Sequence, residues 1–354
     1  MLSEALINKN ITSAIKRLNK ATVNEDEVYG YIKDRNKKNV VYHSRQITKP
    51  NGGYRTIYFT HDQNEKIAQK VVLRTIAAPI DSSLKGFVHA YRENHSAITL
   101  LNQLIAMSEK GYVYIGRADI KRFFDNIDHE ILLTAVNNKL KDPQLNNYID
   151  CLLGTPYLHD GRVIPVNDIG LLQGFILAPL LSNVFADAVI DTPWCKSMDN
   201  NNVVLLRYCD DLIIMGKSRR ACERGVRFII HKLKEVNLKL KDYPKPLSLE
   251  ERELLCFGFW VKISGSKIRQ IPAPNVLARF NSKLEEKFNS PEQVKQYVSG
   301  FVNYYCQNGE SADIIMTMLN RHGHLEEILG YSPTKLIRME KHNPFNIYSC
   351  VNKL

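Results

Sequence analysis

The chain has 354 residues and is 44% hydrophobic, which is enough to bury a sizeable core and to divide into two or three subdomains. Its 48 Lys and Arg against 37 Asp and Glu give a net charge of +11, which favours a polyanionic partner, nucleic acid ahead of an acidic membrane surface. Met1 to Lys20 lacks the apolar core of a signal peptide, no run of about 18 apolar residues could span a bilayer, and seven cysteines without a C-x-x-C pair indicate neither a zinc site nor a disulfide framework. The expected setting is therefore cytoplasmic, with reduced thiols and no membrane.

Residues 1–38 read as charged helices without a catalytic signal. The stretch from Arg45 to Tyr58 reads as two strands around a Pro50-Asn51-Gly52-Gly53 turn. Lys49 and Arg55 flank that turn, either as a grip for an anion such as a triphosphate or as solvated cations. A helix is predicted from about Gln63 to Ala77, stopped by Pro79. In Lys85-Gly86-Phe87-Val88-His89-Ala90-Tyr91-Arg92-Glu93-Asn94-His95-Ser96-Ala97, Arg92 and His95 precede a helix that Asn94 or Ser96 would cap. That is a place to hold a phosphate, or simply a loop entering a core helix.

A strand of aromatic and aliphatic residues from Tyr112 ends at Asp119, and Phe123 and Phe124 begin the segment leading into the next helix. Asp125 and Asp128 read as helix-start caps rather than metal ligands. Gly170-Leu171-Leu172-Gln173-Gly174 and Pro179 lead into an apolar helix, so the backbone at Gln173 and Gly174 can approach a flat ligand closely, or merely enter a buried helix. Val203 to Gly216 contains two apolar, β-branched-rich runs around Tyr208-Cys209-Asp210-Asp211, a buried hairpin with adjacent carboxylates at its tip. Side chains alternate across a strand, so an acid pair in mid-strand would drive one charge into the core, whereas at a turn both can reach one cleft. Two such carboxylates repel unless a cation lies between them, and oxygen-only ligands suit magnesium. Asp119 would complete a three-carboxylate site only through the fold.

Taken in order, these blocks resemble those of reverse transcriptases: the Lys-Pro-Asn-Gly-Gly-Tyr-Arg hairpin, Gly86-Phe87 to Ala97, Asp119-Ile-Lys-Arg-Phe-Phe-Asp-Asn-Ile-Asp-His, Gln173-Gly174 with Pro179, and Tyr208-Cys-Asp-Asp. The resemblance covers residues 40 to 305. It is strongest to the bacterial group II intron and retron lineage, through Phe-Asp-Asn-Ile-Asp-His and Val298-Ser299-Gly300-Phe301-Val302-Asn303-Tyr304-Tyr305. It implies an α+β right hand with an antiparallel palm sheet, hairpin fingers and a helical thumb. Residues 1–111 would be N-terminal extension and fingers, 112–135 palm, 136–165 a return to the fingers, 166–272 palm with the hairpin and primer grip, and 273–354 thumb and tail.

The resemblance also assigns roles. Asp119, Ile120, Asp210 and Asp211 would hold two Mg2+ ions, Lys49 and Arg55 would grip the triphosphate of incoming dNTPs, and Gln173, Gly174 and Tyr208 would line the nucleotide site, with Arg207 supporting the turn. Lys245, with Lys241 as the alternative, would protonate pyrophosphate. Phe124 would close on the 2′ position and select deoxyribose, since a ring there leaves no room for a hydroxyl. Cys256 to Val261 resembles the primer-grip hairpin, with a core hairpin as the simpler reading, and Lys283, Lys287 and Lys295 mark candidate nucleic-acid faces. Ala178-Pro179 stands where the family commonly has Ser-Pro, which implies altered fidelity or templating.

No RNase H or endonuclease module is expected in residues 311–354, and the Val-Thr-Gly motif of retron thumbs does not occur. These features resemble defence-associated reverse transcriptases, which would copy a structured non-coding RNA into cDNA, in a rolling-circle fashion, in antiphage defence. Retron-type and group II intron-type enzymes are the nearest alternatives. The alternative of another class is an RNA-binding maturase-like cofactor with a vestigial site, against which the intact triad and the aromatic gate argue. Nothing in the sequence specifies an oligomeric state.

Overall fold

The computed structural model describes residues 4–17, 23–38, 40–48, 52–198, 201–265, 267–286, 288, 290–330, 332 and 335–337. They belong to two compact units, Met1–Pro246 and Leu247–Leu354.

The first unit begins with helices α1 (Glu4–Arg17) and α2 (Glu25–Lys33), followed by strands β1 (Tyr42–Thr48) and β2 (Tyr54–Phe59) and the long helix α3 (Gln63–Ser83). The two N-terminal helices are amphipathic and bury Ile7, Ile11, Val28 and Ile32. They pack against α3, where Asn10 donates to Thr75 Oγ1 at 2.9 Å and the Tyr31 hydroxyl to Asp62 at 2.5 Å. Asp62 also caps α3, accepting from the amides of Asn64 and Glu65.

Helix α3 corrects one expectation, because it continues through Pro79 to Ser83. Proline removes one amide and crowds the carbonyl four residues back, at about 3 kcal/mol in a helix interior. Ile76 and Ile80 on either side are fully buried and repay that amount at roughly 1.5–3 kcal/mol each. The Ser82 and Ser83 hydroxyls satisfy the last carbonyls, those of Pro79 and Ile80.

Next come α4 (Ala97–Glu109), β3 (Tyr114–Asp119), α5 (His129–Leu140), α6 (Pro143–Leu153), β4 (Tyr157–His159) and β5 (Arg162–Ile164). Ser96 caps α4 in a capping box with Thr99, and Asp128 caps α5 by accepting from Ile131. β4 pairs parallel to β1 with Tyr42 opposite Tyr157, so residues 157–164 complete a β2-β1-β4-β5 sheet. Helices α7 (Ala178–Ala186) and α8 (Thr192–Ser197) flank a π-helical turn at Asp187–Asp191. The hairpin of β6 (Val203–Tyr208) and β7 (Asp211–Gly216) then pairs through β7 with β3, all antiparallel, and α9 (Arg219–Glu235) covers the sheet. All six residues of β7 are buried, as a central strand requires. Gly225 lets α9 sit this low, since a Cβ there would stand 2.7 Å from Ile214 and 3.0 Å from Trp194.

The second unit holds the short strand β8 (Leu247–Ser248), the meander β9 (Leu254–Cys256), β10 (Phe259–Ser264) and β11 (Lys267–Pro272), and helices α10 (Pro274–Glu285), α11 (Pro291–Tyr305), α12 (Gly309–Leu319) and α13 (His324–Leu329). Within this unit the meander is tied to the helices. The Tyr304 hydroxyl donates to the Phe257 carbonyl at 3.1 Å, and Asn308 and Ser311 both donate to the Gln270 carbonyl. Phe280 stacks on Tyr297 and Phe301 in the helical core. Lys283 and Lys295 are exposed, while Lys287 lies outside the described residues. Among the described residues no helix is long and apolar enough to cross a membrane.

Candidate active site

Asp119 is the last residue of β3 and Asp211 the first of β7, and the antiparallel register sets them opposite each other. Across the hairpin Tyr208 pairs with Asp211, which leaves Cys209 and Asp210 as a two-residue turn. Only the first of the two has positive φ, +59° at Cys209, a position where glycine is preferred and another residue costs about 1–3 kcal/mol. The surroundings hold it there. Arg207 Nη1 donates to the Cys209 carbonyl at 3.2 Å, and the Tyr91 hydroxyl lies against the Cys209 thiol. Burial, with the charge of Asp210 beside it, pushes that thiol up to about 12, so Cys209 is a packing residue, not a nucleophile.

The backbone joins the other two acids. The Ile120 amide donates to the Asp210 carbonyl at 3.1 Å, and the Lys241 amide to the Asp119 carbonyl at 2.8 Å. The side chain of Ile120 is 2% exposed, so only its carbonyl could serve a ligand. Burial raises the carboxyls of both Asp210 and Asp211 above the usual range, and Asp119 adds like-charge repulsion at both. Arg55, on β2, opposes the shift at Asp210. At Asp211 the opposing charge is Arg117, whose Nε is 2.9 Å from Oδ1 and whose Nη2 is 2.5 Å from Oδ2.

Sequence reading missed Arg117, although a signal existed. Residues 117 and 119 share one face of β3, and Arg117 lies diagonally across from Asp211. The donor chemistry of the three acids, oxygen-only and mutually repulsive, fits magnesium. As the side chains stand, no group of three His, Cys, Asp or Glu among the described residues is arranged around a metal position, with Asp211 turned to Arg117.

Beneath the turn, Arg207 is fully buried and doubly bonded to fully buried Asp191, with Nε to Oδ1 at 2.9 Å and Nη2 to Oδ2 at 2.5 Å. Its Nη1 also donates to Asn183 Oδ1 at 2.9 Å, and Asn183 in turn donates to the Ala90 carbonyl. The block before α4 is fastened to β6 through the same residue, with His89 and Phe87 exchanging backbone hydrogen bonds with Arg207. Asp191, Asn183 and Tyr91 carried no sequence signal, since nothing local says that the π-helical turn underlies β6. Arg92 does not offer itself to a phosphate. It is spent on Asp81 and on the Lys85 and Val88 carbonyls, while His95 bonds the Glu93 carbonyl.

The Gln173-Gly174 loop lies against β2. The Tyr58 amide donates to the Gln173 carbonyl at 2.8 Å. Gly174 adopts φ +128°, and a Cβ there would fall 1.9 Å from the Tyr58 carbonyl oxygen. Phe124 is half-buried beside Phe123, and its carbonyl accepts from the Leu171 amide at 2.7 Å, which brings the Asp119–Phe124 block alongside the Gln173 block. Tyr208 is half-buried next to the turn. Lys49 lies outside the described residues. Lys245 is exposed and, among the described residues, has no bond to the acids, whereas the 239–241 segment adjoins Asp119 through the Lys241 amide.

The comparisons follow the same lines. The sequence profile of the family described as "Reverse transcriptase (RNA-dependent DNA polymerase)" matches residues 47–243, more than half of the chain. The chain is 26% identical over 146 residues to the putative COX1/OXI3 intron 2 protein of Saccharomyces cerevisiae, covering 40% of this chain and 16% of that protein. It is 32% identical over 118 residues to the group II intron-encoded protein LtrA of Lactococcus lactis subsp. cremoris, covering 33% and 19%. It thus spans less than a fifth of the length of these curated relatives. Among solved structures, apo telomerase from Candida tropicalis, truncated from its C-terminal domain, superposes with a TM-score of 0.50 at 13% identity over 69% of this chain and 59% of that one. The fold is the α+β right-hand polymerase fold, and the chain belongs to the reverse transcriptase (RNA-dependent DNA polymerase) family.

Proposed function

We propose that the chain is an RNA-directed DNA polymerase that extends a primer with deoxynucleotides on an RNA template. The observation that carries this reading is the pairing of Asp119 with Asp211 across two strands, with Asp210 in the adjoining turn and the charge of Arg55 felt at Asp210. Asp119, Asp210 and Asp211, with the Ile120 carbonyl, would hold two magnesium ions, which supply charge neutralisation at the reacting phosphate when bound. Arg55 binds the triphosphate, together with Lys49. The Gln173-Gly174 backbone and Tyr208 form the floor on which the base lies. Phe124 excludes the 2′-hydroxyl. The primer 3′-hydroxyl gives its proton to solvent and attacks the α-phosphorus in line, the bond from that phosphorus to the bridging oxygen breaks, and pyrophosphate leaves with a proton from Lys245 or Lys241.

The template we propose is a dedicated structured non-coding RNA copied into cDNA, in antiphage defence. The net charge of +11 supports a nucleic-acid partner, and the similarity to a group II intron-encoded protein supports the bacterial lineage in which this reading is made. One preparation tests both levels. Purified from its native cells, the protein should carry a single structured RNA and copy it with magnesium and dNTPs but not with ribonucleotides. The double variant Asp210→Asn/Asp211→Asn should keep the RNA and lose synthesis. Heterogeneous RNA, with no synthesis on an added primed template, would favour an RNA-binding cofactor instead.

A further inference from the structure

The Gln173-Gly174 loop is fastened on two sides, and only one of them, the Tyr58 amide, belongs to the fingers hairpin. The other is a side chain. Gln69, in the middle of α3 and 2% exposed, accepts a hydrogen bond from the Ile176 amide at 2.8 Å through Oε1. Its Nε2 donates to the Tyr42 hydroxyl at 2.5 Å and to Glu65 Oε1 at 3.0 Å. Glu65 is fully buried and forms an ion pair with Arg35 at 2.9 Å, and Arg35 Nη2 also donates to Thr155 Oγ1. Both partners of Nε2 are acceptors there, since the Tyr42 hydroxyl spends its own proton on Glu65. The amide of Gln69 therefore has one orientation, with its oxygen toward the loop. A chain of buried polar contacts runs from Arg35, just after α2, to the loop next to the acidic centre.

We infer that Gln69 is a positioning residue: its side-chain amide is the strut that sets the height of the Gln173–Ile176 loop against the fingers hairpin, and the Arg35–Glu65 pair sets the direction of that amide. The inference rests on the proposed function in that this loop is taken as the nucleotide floor. It also gives Arg35 a task, because the Arg35–Glu65 pair reaches the loop through this chain. Without the Gln69 acceptor the Ile176 amide has no partner on that side, and the loop keeps the Tyr58 bond and the packing of Phe175 on Tyr42.

The test is Gln69→Met, which keeps the length and packing of the side chain and removes both halves of the amide. Hydrogen exchange at the Ile176 amide should quicken by about tenfold or more, while exchange in β7 stays as in the unsubstituted chain. On a primed RNA template, KM for dNTPs should rise about tenfold with kcat within about threefold, because the loop's placement and not the chemical step is changed. Tyr42→Phe removes one partner of Nε2 but leaves the Ile176 bond, and should change KM by less than about twofold. Unchanged exchange at Ile176, or a fall in activity that tracks only the folded fraction at constant KM, would overturn the inference. If the unsubstituted chain makes no DNA at all, the reading of function falls, and the exchange measurement alone decides the strut.

Discussion

Gly174→Ala tests the closest approach in the candidate site. Its Cβ would stand 1.9 Å from the Tyr58 carbonyl oxygen, 3.0 Å from the carbonyl carbon and 3.1 Å from the Tyr58 nitrogen. Carbon and carbonyl oxygen settle at about 3.3 Å or more, so the loop would have to recede by roughly 1.5 Å. The Tyr58 amide bond to Gln173, now 2.8 Å, cannot survive that movement. Losing it costs about 1 kcal/mol, and holding alanine at φ +128° costs about 1–3 kcal/mol more. We expect a destabilisation of about 2–4 kcal/mol in urea unfolding, read from the midpoint at constant slope. A displacement of an ångström or more beside the reacting groups should lower DNA synthesis about 100-fold. A variant within about 0.5 kcal/mol of the original, with unchanged KM for dNTPs, would refute the clash and with it the role of glycine here.

Asp191→Ala strands the buried Arg207 guanidinium and should cost about 3–5 kcal/mol, and adding Arg207→Met should recover much of it, both read by denaturant unfolding. His89 is 4% exposed, between Thr99 and Gln103, and burial lowers its pKa from 6.5 to about 4. A depressed imidazole contributes stability above its unfolded value that is lost as pH falls through its folded one. The chain should therefore lose about 3 kcal/mol between pH 6.5 and 4 that His89→Gln does not lose. Phe124→Ala should let ribonucleotides compete, with the ratio of deoxy- to ribonucleotide incorporation on a primed template falling at least about tenfold, while an unchanged ratio would remove Phe124 from sugar selection.

What was legible in the sequence was set by short-range rules. The hairpin of β6 and β7 follows from two buried apolar runs around a two-residue turn, and the Asp128 cap from its place before α5. Pro79 misled because a local rule ends the helix there, while Ile80, one residue beyond it, is fully buried by the turn that continues. The resemblance supplied the acidic triad but not Arg117, and periodicity could have supplied Arg117. The supports of the site were silent for a different reason. Gln69 to Ile176, Arg207 to Asp191 and Gly174 to Tyr58 join elements with no local pattern in common, and each depends on how those elements cross.

The parallel pairing of β4 with β1 bears on how the chain is made. β1 and β2 leave the ribosome as a bare hairpin, and the strand that covers the far edge of β1 is roughly a hundred residues behind them, on the order of ten seconds of translation. During that interval the edge of β1 is open to any passing extended segment. The hairpin bearing Asp210 and Asp211 is synthesised later still, so the acidic centre cannot form until after that interval. Slowing translation between β2 and β4 should lengthen that exposure and raise the share of chains that aggregate before the centre can form.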